Sequence, residues 1–221
     1  MNLYFSLFSL FLTIILFITF FMLMKNNYFQ RFKDKYDIRN HFPYEMNYEL
    51  RFKDNLIGNL ILIASFLLGT VYLFTYSELR FDGMLISIIA SGTLSAILIV
   101  FLFLTPLKHL RLHLLETIFL FASSFSFSSL VCIECYREFK DLENPLSIAG
   151  VILSALMALI IFILIMNPKL SKWANLESKV NEDGSTSYIR PKYFVLAYSE
   201  WIVILTYFIN LISVFFLVLV K

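Results

Sequence analysis

Apolar residues run along this chain in six stretches of about 20 positions each, separated by polar segments, at approximately 3–24, 56–77, 84–105, 112–134, 146–166 and 197–220. A helix rising about 1.5 Å per residue needs that length to cross a hydrocarbon core. Backbone groups in lipid must be paired within their own segment, so helices are the form such spans take. The pattern predicts an all-α membrane protein: a bundle of six transmembrane helices, one transmembrane domain over 1–221, with two cytoplasmic loops of about 30 residues.

Composition agrees. The chain has 221 residues, 59% of them hydrophobic, and a mean hydropathy of +0.78, well outside soluble globular domains. Neither long loop reaches the roughly 40 residues that an unaided domain requires. Any chemistry is therefore expected in or against the bundle. A net charge of +2 gives no footprint for nucleic acid. Met1–Met24 lacks a basic leading segment and a small-residue cleavage site, so it reads as a retained first helix and not a signal peptide.

Charge then orients the bundle. Fourteen basic residues fall on one side, in the Lys25–Lys53 loop, at Lys108 and Arg111, and in the Lys169–Lys192 loop; four fall on the other, at Arg80, Arg137, Lys140 and Lys221. The positive-inside rule places the two long loops in the cytoplasm and both termini outside the cell membrane. Tyr28, Tyr76, Phe81, Tyr136, Trp173, Tyr193, Tyr198 and Trp201 mark expected headgroup levels. Pro106, Pro145, Pro168 and Pro191 mark span borders.

Within the first loop, Phe29, Phe32 and Tyr36 recur at helical spacing among basic residues, which suits a short interfacial helix. Phe42–Lys53 then alternates apolar and polar positions as a strand does, with a partner available in Lys179–Tyr188 around the turn-forming Asp183-Gly184. An irregular aromatic segment is the other reading. Small residues recur every four positions at Ser87, Ser91 and Ser95 and at Gly150, Ser154 and Ala158. That spacing lets helix backbones approach, so the third, fourth and fifth helices are expected to share close contacts.

Several constellations carry candidate chemistry. Cys132 and Cys135 form the chain's C-x-x-C pair, a disulfide or redox candidate. Their place near a helix C-terminus, beside Glu134 and Glu138, disfavours thiolate and with it redox work. His109 and His113 stand one turn apart with Glu116 on the same face, a metal-binding spacing that would need a further ligand, Glu200 being the best placed. Lipid-headgroup contact is the plainer alternative. Glu200 lies either within the inner leaflet, where a carboxylate is costly and signals function by default, or at the interface if the last span starts at Trp201. Asn210 lies deeper and is expected to face the fourth helix near Ser124 or Ser128.

The polar-path candidates are therefore Glu200, Asn210, Glu116, Ser124 and Ser128, with helix packing as the competing reading for the serines. No phosphate loop, nucleophile elbow or metalloprotease motif occurs, and no cofactor is expected. A non-enzymatic transport, pore or membrane-subunit role is the leading function. The alternatives are a structural, regulatory or immunity-type protein whose cytoplasmic loops bind a partner, and a membrane-embedded thiol-redox or metal-dependent enzyme. Expected partners are the lipid bilayer and a second copy or a partner membrane or cytoplasmic subunit. Nucleic acid is not among them.

Overall fold

A computed structural model describes residues 3–47, 50–77, 83–105, 109–142, 145–170, 177–180, 186–189 and 193–219. Arg80, Phe81, Pro106, Lys108, Lys172, Trp173, Asp183, Gly184, Arg190, Pro191, Lys192, Lys221 and the side chain of Tyr76, all invoked above, lie outside the described residues. Six helices carry the fold: α1 (Leu3–Phe32), α2 (Leu56–Ser77), α3 (Gly83–Leu104), α4 (Leu110–Leu142), α5 (Pro145–Met166) and α6 (Val195–Leu219). All six are long and apolar enough to cross a membrane. Between α5 and α6 a two-stranded antiparallel ladder pairs β1 (Glu177–Val180) with β2 (Thr186–Ile189).

Element boundaries depart from expectation at two places. The interfacial helix predicted around Phe29 is the continuation of α1, which runs to Phe32. There Lys33 turns left-handed at φ 56° while its N–H still bonds Phe29 O, the helix stop that glycine usually makes. Helix α4 continues eight residues past the predicted border, because Tyr136–Leu142 offers no proline or glycine to break it. Pro145 opens α5, a position where the missing N–H costs nothing.

Neighbouring helices pack in sequence order from α1 to α5, and α6 contacts all five of them. The last helix is thus the centre of the bundle: 67% of its apolar window is buried, against 22% for α5 and 28% for α1. Helix α4 lies between α3 and α5, so the small-residue faces meet on α4 and not all three at one seam. On α3 the seam also differs from the predicted serine row. Gly92, Ser95 and Ala96 are buried, whereas Ser87 and Ser91 bond back to Gly83 O and Ser87 O. The Ser95 and Ser123 hydroxyls meet at 3.0 Å, joining α3 to α4. On α5, Gly150 and Ser154 do form the inward face, continued by Met157 and Ile161.

Gly150 shows how tight this packing is. A Cβ there would lie 2.7 Å from Cys135 Sγ on α4 and 3.3 Å from Ser213 O on α6. Only hydrogen at this position lets three helices close together. Gly150→Ala is expected to lower stability by about 1–3 kcal/mol, measured as unfolding in detergent micelles. Gly83→Ala, whose Cβ would meet nothing within 4 Å, is expected to stay within about 0.5 kcal/mol of the parent. Equal effects would remove Gly150 from the seam.

Candidate functional site

The centre of interest is the end of the bundle from which the α1–α2 and α5–α6 loops emerge. Glu200 lies in the second turn of α6, inside the helix and not at its border. It is 0% exposed and faces His113 of α4, itself 1% exposed. His113 Nε2 and Glu200 Oε1 are 3.2 Å apart. Thr117, one turn after His113, places its hydroxyl 3.0 Å from Glu200 Oε1 and 2.9 Å from His113 O, so its single proton serves one acceptor or the other. Glu116 turns away from the pair toward α3, where Thr105 donates to its Oε1 at 2.8 Å. His113 Nδ1, Glu200 Oε2 and Glu116 Oε2 are buried and have no hydrogen-bond partner among the described residues.

The first loop closes over this pair. Phe42 and Tyr44 stack on each other and present T-shaped contacts to the His113 ring at 5.8 and 5.0 Å. The strand expected over Phe42–Lys53 is absent among the described residues, and Pro43–Asn47 forms a 3-10 turn instead. The reason lies in Glu45. Its carboxylate reaches back to the Phe42 N–H at 2.7 Å, while its own N–H bonds Phe42 O. Proline in the first helical position and glutamate in the third are helix-start signals. They outweigh the alternating pattern, and Pro43, Tyr44, Glu45 and Met46 are all buried in succession, which a strand's two-residue period does not allow.

Four anchors hold the loop down. Trp201 Nε1 donates to His41 O at 2.9 Å. Trp201 is buried among Phe21, Tyr36 and Phe103, and not on the outer belt expected for it. Tyr36 donates to Phe42 O at 2.7 Å; burial, with Glu45 nearby, pushes its phenol well above the ordinary range, so it remains a donor. Arg31 donates to Met46 O at 2.7 Å. An asparagine cluster completes the set: Asn55 Nδ2 donates to Asn47 Oδ1 at 2.7 Å, and Asn47 Nδ2 reaches Phe103 O at 3.2 Å. At the loop's outer edge, side-chain and backbone hydrogen bonds from Arg39 hold the Asp37 carboxyl down to about 2.

The other candidates are dispersed. His109 is exposed and takes no part in the pair. Among the described residues, no group of three His, Cys, Asp or Glu side chains is placed to hold a metal ion. Cys132 and Cys135 are free thiols, lying 3.8 Å from Val151 O and 3.9 Å from Ser213 O. Asn210 faces α4, donating to Ser128 Oγ at 2.6 Å, and Ser128 in turn donates to Ser124 O. Ser124 Oγ is 3.5 Å from Ser95 Oγ. Sequence reasoning missed Thr117, Glu45 and Tyr36; the spacing His113-x-x-x-Thr117 and the Pro43-x-Glu45 start signal were the available clues.

Comparison with protein-family models, with curated proteins and with solved structures finds no match for this chain.

Trp201→Phe keeps the ring but removes the N–H that holds His41 O. It is expected to cost about 1 kcal/mol and to speed deuterium exchange at the Phe42 and Glu45 amides. Unchanged exchange at both would mean that the loop does not depend on this anchor.

Proposed function

We propose that this chain is a non-enzymatic transport protein, or the membrane subunit of a transport complex, in which the His113–Glu200 pair takes up and releases a proton. The supporting observation is the pair itself: two ionisable side chains from different helices, fully buried in an apolar bundle. Such groups are costly in a membrane, where packed apolar side chains would serve stability at least as well. Around the pair stand Tyr44 and Glu45 from the loop, with Tyr36 behind Glu45, and the Glu116 carboxylate one turn along α4 acts on His113 through space while bonding Thr105. The buried atoms His113 Nδ1 and Glu200 Oε2 have no hydrogen-bond partner among the described residues, which gives a proton more than one place to reside.

In liposomes, Glu200→Gln should keep the Thr117 contact and the fold while changing flux, or its pH dependence, by roughly tenfold. His113→Gln should shift the same profile. A partner-binding role has its own support: Glu200 has no exposed surface and the aromatic loop is packed over its partner His113. Liposomes that stay tight to ions and small solutes, with wild-type protein alone and with co-purifying partners, would favour that second reading.

The same reading places the two long loops in the cytoplasm, supported by the fourteen-to-four division of basic residues. In a background carrying Cys132→Ala and Cys135→Ala, Lys53→Cys should resist membrane-impermeant thiol reagents in intact cells and react after permeabilisation. Reaction in intact cells would invert the orientation.

A further inference from the structure

Beside the pair, a groove of about 560 Å³ opens on the outer face between α4 and the end of α5. Its walls are Ile118 and Ala122 of α4, Ile165 of α5 and Leu196 of α6, and its polar lining residues are Thr117 and Asn167. That size and lining, mostly apolar with a few placed polar groups, suit a small-molecule site of about 300–1,000 Å³. Ile118, Ala122 and Ile165 are exposed on the face that meets lipid. An occupant therefore enters sideways from the bilayer.

We propose that this groove binds one long-chain fatty acid as its carboxylate, tail along Ile118, Ala122 and Ile165 and head at the Asn167 turn. Charge and hydrogen bonding at the mouth select the head. Lys169, exposed at that turn, donates its backbone N–H to Asn167 Oδ1 at 3.0 Å. This orients the carboxamide and leaves its Nδ2 without a bond among the described residues, a donor at the mouth. Exposed Arg111 stands seven residues, two helical turns, before Ile118 on the same face of α4. Lys169 lies between the lining residues Pro168 and Leu170, and Arg111 lies three residues before the lining residue Leu114, so both cations flank the Asn167 end of the trough without lining it. With the amide donor they complement a single-chain anion. A second groove of about 510 Å³ along α2 and α3 has, among the described residues, Thr93 as its polar lining residue and no cation in its lining. It serves as an internal control.

Because Thr117 both lines the groove and lies 3.0 Å from Glu200 Oε1, a bound chain would press on the residue that touches the pair. The binding site nevertheless stands apart from the transport reading and survives its failure.

The test is photolabelling of the full chain in phosphatidylcholine nanodiscs with a palmitic acid carrying a diazirine in its tail. Labelled peptides should concentrate at residues 117–122 and 165–170, and unlabelled palmitate should compete where hexadecanol does not. Ala122→Phe, an exposed position, should cut labelling by about tenfold, equivalent to about 1.4 kcal/mol of binding, with the unfolding midpoint unchanged. Arg111→Gln with Lys169→Gln should abolish the preference for carboxylate over alcohol. Even labelling around all lipid-facing helices, equal labelling of the α2–α3 groove, or indifference to Ala122→Phe would overturn the proposal. So would a photoactivatable phosphatidylglycerol that labels the groove and is not displaced by palmitate.

Discussion

Polar groups on a membrane-spanning helix must find partners inside the protein, and this constraint organises the whole bundle. Helix α6 carries Ser199, Glu200, Thr206, Asn210 and Ser213, every one of them buried. Ser199, Thr206 and Ser213 bond back to carbonyls of α6 itself. Glu200 and Asn210 instead find their partners on α4 and would be left unpaired in lipid, so α6 is driven to the centre, where five other helices surround it. Helix α5 carries no charged residue between Pro145 and Met166 and presents Ile152, Leu159 and Ile163 to lipid, so it tolerates the periphery. Order in the chain and position in the bundle are thus decoupled: the sixth helix in sequence is the innermost.

The same constraint explains the first loop. A His–Glu pair at the end of the bundle would be wetted unless something covered it. Phe42 and Tyr44 supply the cover, and Glu45, Tyr36, Trp201 and the asparagine cluster hold it in place through backbone carbonyls and amides. The cover is held by individual hydrogen bonds, some local and some from distant helices, more than by regular structure. Regular structure would have turned Tyr44 or Glu45 outward, whereas a 3-10 turn buries both. The site is therefore a joint product of α4, α6 and a segment some 70 residues ahead of α4's pair-bearing turn in sequence.

Asn210 was legible as inward-facing because its cost in lipid follows from residue type and depth alone, whereas Glu200 was legible only as a carboxylate either inside the last span or at its interface. Asn210 meets Ser128, one of two serines that spacing and depth singled out. The pairing of His113 with Glu200 was visible only as a suggestion, attached to a metal reading that needed His109 as well; His109 instead lies at the exposed start of α4. Thr117 and Glu45 carried weak signals because threonine in a span and glutamate in a loop are each common. Their roles arise from what they touch.

The sequence alone determined that the chain forms six apolar helices, since span length and backbone pairing in lipid leave no other form. It also determined which faces hold small or polar residues, because helical periodicity is a local property. Tertiary structure alone decided that α6 is central, that Gly92 and not Ser87 or Ser91 joins Ser95 on the inward face of α3, and that His113 turns to Glu200 while Glu116 turns to Thr105. Apolar runs specify a helix's length but not its neighbours. Choosing among neighbours depends on matching several polar groups and close contacts at once, and that match exists only when the bundle is assembled.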